Sequence, residues 1–219
     1  MGSLSKRSFC ILSGLSGVVG VVLLITSFQA AVGPPANASA AEVVKFGEQH
    51  SSSILWGAWL QAVGPVLIVL FAFALVHLSG AAQRLSGWMT FLGAIILTIV
   101  SLIEITFYIS ALFSDPPVMP LVSMKLIYAV QHLYFIVAAP ALFLPPGLVL
   151  IRSQILPRLF GYLALALAAT FAILGITFLL RLRLPDAVTD FAAVQGLWWL
   201  AAGIVLVVRS GRIAEMQSE

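Results

Sequence analysis

The chain reads as an all-α polytopic membrane protein, a bundle of six transmembrane helices forming one domain over residues 1–219. Three observations predict this. Of 219 residues, 61% are hydrophobic and 9% charged, with a mean hydropathy of +1.11. Soluble domains carry about 25% charged residues, so this chain lacks the charge to cover a water-facing surface. Six apolar segments are separable, at residues 8–28, 54–78, 87–113, 126–151, 159–180 and 191–208. Each approaches the ~20 residues that cross ~30 Å of hydrocarbon, the last only just. Main-chain groups in hydrocarbon must bond within their own segment, which makes the segments helices.

The first segment follows Lys6 and Arg7, and small residues at Ala30-Ala31 and Ala38–Ala41 imitate a signal-peptide cleavage region. Its length favours a retained helix over a cleaved leader. Gly14, Gly17 and Gly20, with Ser13 and Ser16, give the four-residue spacing of small side chains that lets another helix approach closely, most simply one of the same chain. Cys10, the single cysteine, permits no internal disulfide and no thiol pair, and reads as packing. The loop from Gln29 to Ser53 is the longest. Ser39 and the acids after it predict a short helix over residues 40–50, and Asn37-Ala38-Ser39 matches a glycosylation sequon.

In the second segment Gly64-Pro65 predicts a kink, because proline removes a helix donor and crowds the preceding turn. The third contains Glu104, the only acidic residue set inside a long apolar segment. A turn region with Asp115-Pro116-Pro117 and Met119-Pro120 leads to the fourth. There Pro140 predicts a bend, and Pro145-Pro146-Gly147 a break or sharp bend. The fifth and sixth segments are joined through Arg181, Arg183, Asp186 and Asp190. Trp56, Trp59, Trp88, Trp198 and Trp199 lie toward segment ends and read as aromatic-belt anchors, not as a ligand cage. With the N-terminus inside, Lys6, Arg7, Arg84, Arg152, Arg158, Arg209 and Arg212 face the cytoplasm. Lys45, Lys125, Arg181 and Arg183 face outward. That bias of seven to four places both termini in the cytoplasm.

Glu104 is the residue that most needs explaining. A carboxyl group in hydrocarbon costs at least ~2.5 kcal/mol, so it requires a partner, a proton or a task. It lies nine positions before Phe113, roughly 13 Å below the outer end of its segment. Counting in from the other ends, Gln61, Gln131, His132, Thr177 and Gln195 reach a similar band in the outer half. Ser101, Glu104, Tyr108 and Ala111 form one helical stripe. Tyr128, Gln131, His132 and Phe135 form another. If the stripes face each other they enclose a polar pocket open to the outside. Glu104 and His132 are then the candidate catalytic pair, with Gln61, Tyr108, Tyr128 and Gln131 as candidate binding residues. Each also has a plain reading. A lone Glu can be kept neutral and bond a carbonyl, and a lone His or Gln often joins helices. His77, at the inner end of its segment, reads as interfacial, and so does Lys125.

Three functions follow from such a pocket. The first is handling of a small or lipid-like molecule, with Glu104 and His132 exchanging a proton. The second is a proton-coupled transporter or substrate-capture subunit. The third is a structural or interaction subunit of a membrane complex. There is no G-x-S-x-G, H-E-x-x-H or Gly-rich nucleotide loop to name a reaction. Haem would need two histidines facing each other at one depth, and only His132 lies well inside. No metal is expected and the cofactor is left unknown. Membrane lipid is the expected partner, with a small-molecule ligand and a second copy of the chain as further candidates. The scattered basic residues argue against nucleic acid.

The stretch Ile155-Leu156-Pro157-Arg158-Leu159-Phe160-Gly161-Tyr162 carries an L-P-R-x-x-G turn. It follows a helix with His132 that ends at Leu150-Ile151-Arg152-Ser153. In this the chain resembles a family of uncharacterised bacterial six-helix integral membrane proteins, known only as a domain of unknown function. The Pro145-Pro146 pair departs from that pattern. The resemblance implies a bacterial inner-membrane protein and no assigned activity.

Overall fold

The computed structural model describes residues 5–30, 33–34, 38–113, 118–179 and 185–216, without the side chains of 118, 178–179, 185–192 and 216. The Asn37 sequon, the Asp115-Pro116-Pro117 turn and the charges of Arg181, Arg183, Asp186 and Asp190 lie outside this description. The elements are α1 (Lys6–Ala30), α2 (Ala40–Leu78), α3 (Leu85–Phe113), α4 (Val118–Leu133), a π-helical turn (Tyr134–Ala138), α5 (Ala139–Arg152), α6 (Arg158–Leu179), α7 (Pro185–Val208) and α8 (Ser210–Met216). Among the described residues five stretches are long and apolar enough to cross a membrane, the fourth running unbroken from Met119 to Arg152 through the π turn. Ala193–Val208 is a shorter apolar helix. The chain is a helical membrane bundle.

The largest correction concerns α2. The expected loop and short helix before residue 54 are one continuous helix of 39 residues with the second span. At 1.5 Å per residue it is about 58 Å long, against ~30 Å of hydrocarbon. A capping box starts it. The Glu42 carboxylate accepts from the Ser39 N–H (2.7 Å) and hydroxyl (2.8 Å), while the Ser39 hydroxyl oxygen accepts from the Glu42 N–H. No proline intervenes before Pro65, so nothing stops the helix at Ser51-Ser52-Ser53. Ser53 donates its hydroxyl to the Ala30 carbonyl at the end of α1 (2.6 Å), which fixes the two helices in register. Residues 40–52 therefore extend about 20 Å beyond α1. At the other end Phe9 packs edge-on against His77. The first turn of α1 lies at this basic end, where α8 packs on α1; the opposite end is called distal.

Neighbours around the bundle run α7, α1, α2, α3, α4 with α5, then α6. The small residues of α1 are used within the chain. A Cβ on Gly20 would lie 2.8 Å from the Gly64 carbonyl oxygen of α2, and one on Gly14 would lie 2.7 Å from that of Gly203 in α7. The core between these helices holds Phe71, Phe143, Phe171, Trp198 and Trp199 in mutual ring contact. This corrects the reading of Trp198 and Trp199 as belt anchors: they are 5% and 3% exposed, and the Trp198 indole donates to the Phe160 carbonyl at 3.0 Å. The carbonyl partner makes a buried indole affordable, which hydropathy cannot reveal. Trp56, Trp59 and Trp88 are exposed, as an aromatic belt requires. Cys10 is fully buried packing.

The fourth span also differs from expectation. It begins at least eight residues earlier than residue 126, and its prolines do not end it. The π turn precedes Pro140, with the Ala139 N–H donating five residues back to Tyr134. The wider register makes room where the proline ring would meet the preceding turn. Pro145 and Pro146 sit inside a helix that continues to Arg152. Pro145 leaves the Ala141 carbonyl without its main-chain donor, and Gly93 of α3 sits directly on that carbonyl. A Cβ there would lie 2.0 Å from the oxygen. Gly147 and Gly161 meet in the same way, a Cβ on Gly161 falling 2.9 Å from the Gly147 carbonyl oxygen. The glycine of L-P-R-x-x-G thus fixes the crossing of α6 over α5.

Candidate functional site: a carboxyl group bridging three helices

The site begins with a proline. Pro65 has no N–H, so the carbonyl of Gln61, four residues earlier, loses its helical donor. Ser101 of α3 supplies one, its hydroxyl donating to that carbonyl at 3.1 Å. This bond sets α3 against α2 with Glu104, one turn beyond Ser101, beside the Gln61 side chain. Gln61 Nε2 then donates to Glu104 Oε2 at 2.7 Å. Gln131 Nε2 of α4 donates to Glu104 Oε1 at 3.0 Å. Glu104 and Gln61 are buried at 8% and 3% exposure, and Gln131 is half-buried. A single carboxyl group so joins α2, α3 and α4, and both of its partners are uncharged amides. Neither amide carries a charge that would cancel that of an ionised carboxyl group in hydrocarbon.

Local landmarks set the depth. Gln61 follows the exposed Trp59 by two residues, and Gln131 follows the exposed Tyr128 by three. The carboxyl group therefore sits about one helical turn below the distal aromatic belt. Among the described residues a small apolar cluster lies toward the distal side: Val43 of α2 with Met124 and Ile127 of α4, packed by Phe107, Tyr108 and Leu121. Glu104 is bonded at both oxygens. Ser123 of α4 donates to Ser110 of α3 at 3.2 Å above it.

His132 is not at this site. It is exposed, and its Nδ1 lies 2.6 Å from the Tyr128 carbonyl of its own helix. Adjacent residues on a helix point about 100° apart, so the face that brings Gln131 to Glu104 turns His132 away. Tyr128, 47% exposed, shares that outward face with Lys125. Of the six candidates, Glu104, Gln61 and Gln131 are brought into direct contact. Tyr108 is half-buried in the apolar cap one turn above. Tyr128 and His132 lie outside. The Glu–His proton exchange is not assembled. Instead the arrangement can hold a proton, or accept hydrogen bonds from a polar or cationic group that replaces an amide.

The rest of the polar band forms a second pair. Tyr134, on the π turn, donates its hydroxyl to Gln195 Oε1 of α7. Thr177 bonds the Leu174 carbonyl of its own helix, and among the described residues it bridges no other helix. Sequence reasoning missed Tyr134, and it missed the role of Ser101 as donor to Gln61. The second was legible, since Pro65 follows Gln61 by the four residues of one helical hydrogen bond. His50 stacks on Phe46, and both His50 and His77 are exposed. Among the described residues no group of three or more His, Cys, Asp or Glu side chains gathers to hold a metal. No protein-family model, curated protein or solved structure matches the chain.

Proposed function

We propose that this chain is a multi-pass protein of a bacterial inner membrane that binds a small or lipid-like molecule at Glu104, in the outer half of the bilayer, with both termini cytoplasmic. One observation carries the reading: a buried intramembrane carboxyl group held across three helices by two neutral amides. Ionisable side chains at such depth mark ligand, ion or proton sites by default. The half-buried Gln131 is the partner that a ligand donor group would replace. It stands on the wall that runs through the π turn to Pro140, Pro145 and Pro146, and π turns concentrate at functional sites. Met124 in the distal cap is a side chain that repacks readily. The basic bias of seven to four supports the orientation, and the L-P-R-x-x-G resemblance supports the bacterial setting.

The test is to purify the wild type, Glu104→Gln and Gln131→Leu from the same membranes in native nanodiscs and identify co-purifying molecules by mass spectrometry. A species retained by the wild type and lost from both variants supports the site. Identical profiles from all three overturn it and leave Glu104 as a bolt between helices. The same wall favours a second reading, a proton-coupled carrier in which Glu104 takes the proton and α4 moves. Proteoliposomes carrying a pH-sensitive dye, energised by a pH gradient, test it: a proton leak abolished by Glu104→Gln supports the carrier, and an unchanged leak excludes it.

A further inference from the structure

Three arginines from three helix ends meet at the turn between α5 and α6. Arg152 ends α5, Arg158 opens α6, and both are exposed. The two helices touch just below them. A Cβ on Gly161 would lie 2.7 Å from the Ile151 nitrogen, which puts the Arg152 and Arg158 Cα atoms within about 14 Å of each other. Two arginine side chains with a phosphate between them span that gap. The third is Arg209, just after α7, whose Nη2 donates to the Gln154 carbonyl inside the turn at 3.2 Å. Ile155 and Leu156 are buried in the core, and the Ser153 N–H donates to the Val149 carbonyl at 3.1 Å, so the turn that carries these charges is held in place. The elements themselves supply no counter-charge. No Asp or Glu occurs between Asp115 and Asp186, a stretch that holds α4, α5 and α6, and none between Asp190 and Glu215. Arg158 also stands at the positive end of the α6 dipole, with no acid in the first turn to offset it. Beside the turn, Leu159, Tyr162 and Leu163 of α6 are exposed and form an apolar wall.

We infer that this turn binds the phosphate of one anionic phospholipid, of the phosphatidylglycerol kind, from the leaflet at the basic end. The sign of the charge and the apolar wall choose the ligand. Guanidinium groups present paired N–H donors that match two phosphate oxygens, and Arg152 and Arg158 bring them from two helices. Arg209, already fixed on Gln154, adds a third positive charge. The wall of Leu159, Tyr162 and Leu163 lies alongside the upper acyl chain. Basic pockets between membrane helices hold anionic headgroups in this way. A zwitterionic lipid brings its own ammonium among three cations, and a free phosphate leaves the apolar wall unused. Glu104 lies toward the distal end, so the site does not depend on what Glu104 binds.

The test uses the full chain reconstituted in nanodiscs holding equal parts phosphatidylglycerol, phosphatidylethanolamine and phosphatidylcholine, with retained lipids counted by native mass spectrometry. The wild type is expected to retain phosphatidylglycerol over both others. Arg158→Gln is expected to lower that preference about fivefold, the scale of one basic side chain at an anionic membrane surface, and Arg152→Gln together with Arg158→Gln to abolish it. Arg152→Lys with Arg158→Lys keeps the charges and is expected to keep most of the preference. Arg84→Gln removes an exposed charge from the turn between α2 and α3 at the same end and is expected to change nothing. Inorganic phosphate in the buffer is expected to leave the lipid in place. Equal retention of the three lipids by the wild type, a preference that survives the double Gln variant, an equal loss with Arg84→Gln, or displacement of the lipid by inorganic phosphate overturns the proposal. Circular dichroism checks that each variant is folded.

Discussion

The bond from Ser101 to Gln61 exists, on this account, because Pro65 removed the donor that would otherwise serve that carbonyl. The claim can be isolated by a double-mutant cycle on Ser101→Ala and Pro65→Ala. In the wild type the Gln61 carbonyl sits in a residue 3% exposed, and its donor is at 3.1 Å in a residue 7% exposed. Interhelical hydrogen bonds in bilayers average about 0.6 kcal/mol and reach about 1.7. With no main-chain alternative, this one belongs in the upper part of that range, so Ser101→Ala should cost about 1–1.7 kcal/mol. In the Pro65→Ala background the residue-65 N–H returns to the carbonyl in the ordinary i to i−4 bond. The same Ser101→Ala should then cost under about 0.5 kcal/mol. The expected coupling is about 1 kcal/mol, and changes caused by proline removal alone cancel in the cycle. Reversible unfolding in bicelles, measured for all four proteins, reads it directly. A Ser101→Ala cost equal in both backgrounds to within about 0.3 kcal/mol would refute the link between proline, carbonyl and serine.

Four further outcomes are expected. Glu104→Leu strands the amides of Gln61 and Gln131 and should cost about 2–4 kcal/mol in the same assay, whereas Glu104→Gln keeps a partner for each and should cost about 1 or less; similar costs for both would show that the amides do not depend on residue 104. Gly161→Ala places a Cβ 2.7 Å from the Ile151 nitrogen and should destabilise by about 1–3 kcal/mol, while Gly211→Ala, with nothing within 4 Å, should be neutral or stabilising. Trp198→Phe loses the bond to Phe160 and should lower the melting temperature, and the exposed Trp88→Phe should not; equal melting shifts would return Trp198 to the membrane surface. The Ser39 N–H, then its hydroxyl, hold the Glu42 carboxyl below its ordinary value of 4.5. The folded form is thereby favoured above that value, and the contribution disappears as pH falls through the lowered one. A carboxyl-carbon NMR titration should find Glu42 of Ser39→Ala ionising at higher pH than in the wild type, and coincident curves would remove the capping box.

What the sequence determined by itself was set by transfer energy and local geometry. Hydropathy is a sum over a segment, so the helical membrane architecture and most segment ends survive any arrangement of the helices. Glu104 was conspicuous for the same reason: its cost in hydrocarbon does not depend on its neighbours. The four-residue spacing of Gly14, Gly17 and Gly20 likewise announced close contact, though not that Gly64 and Gly203 would receive it.

Tertiary structure decided which polar groups meet. Gln131 and His132 are adjacent in the chain and equal in depth, and only the rotation of α4 gave one to Glu104 and turned the other outward. That rotation follows from where Val43, Met124 and Ile127 pack, a contact between α2 and α4 that no local pattern encodes. Trp198 and Trp199 looked like belt residues by position along their helix, but the Phe160 carbonyl and the rings of Phe71 and Phe143 offered them a buried place. The prolines show the division most clearly. A sequence can say that Pro65 and Pro145 free a carbonyl, because that is covalent chemistry. Whether the freed carbonyl ends a helix or is met by Ser101 or Gly93 depends on the helix that arrives beside it, and only packing brings that helix there.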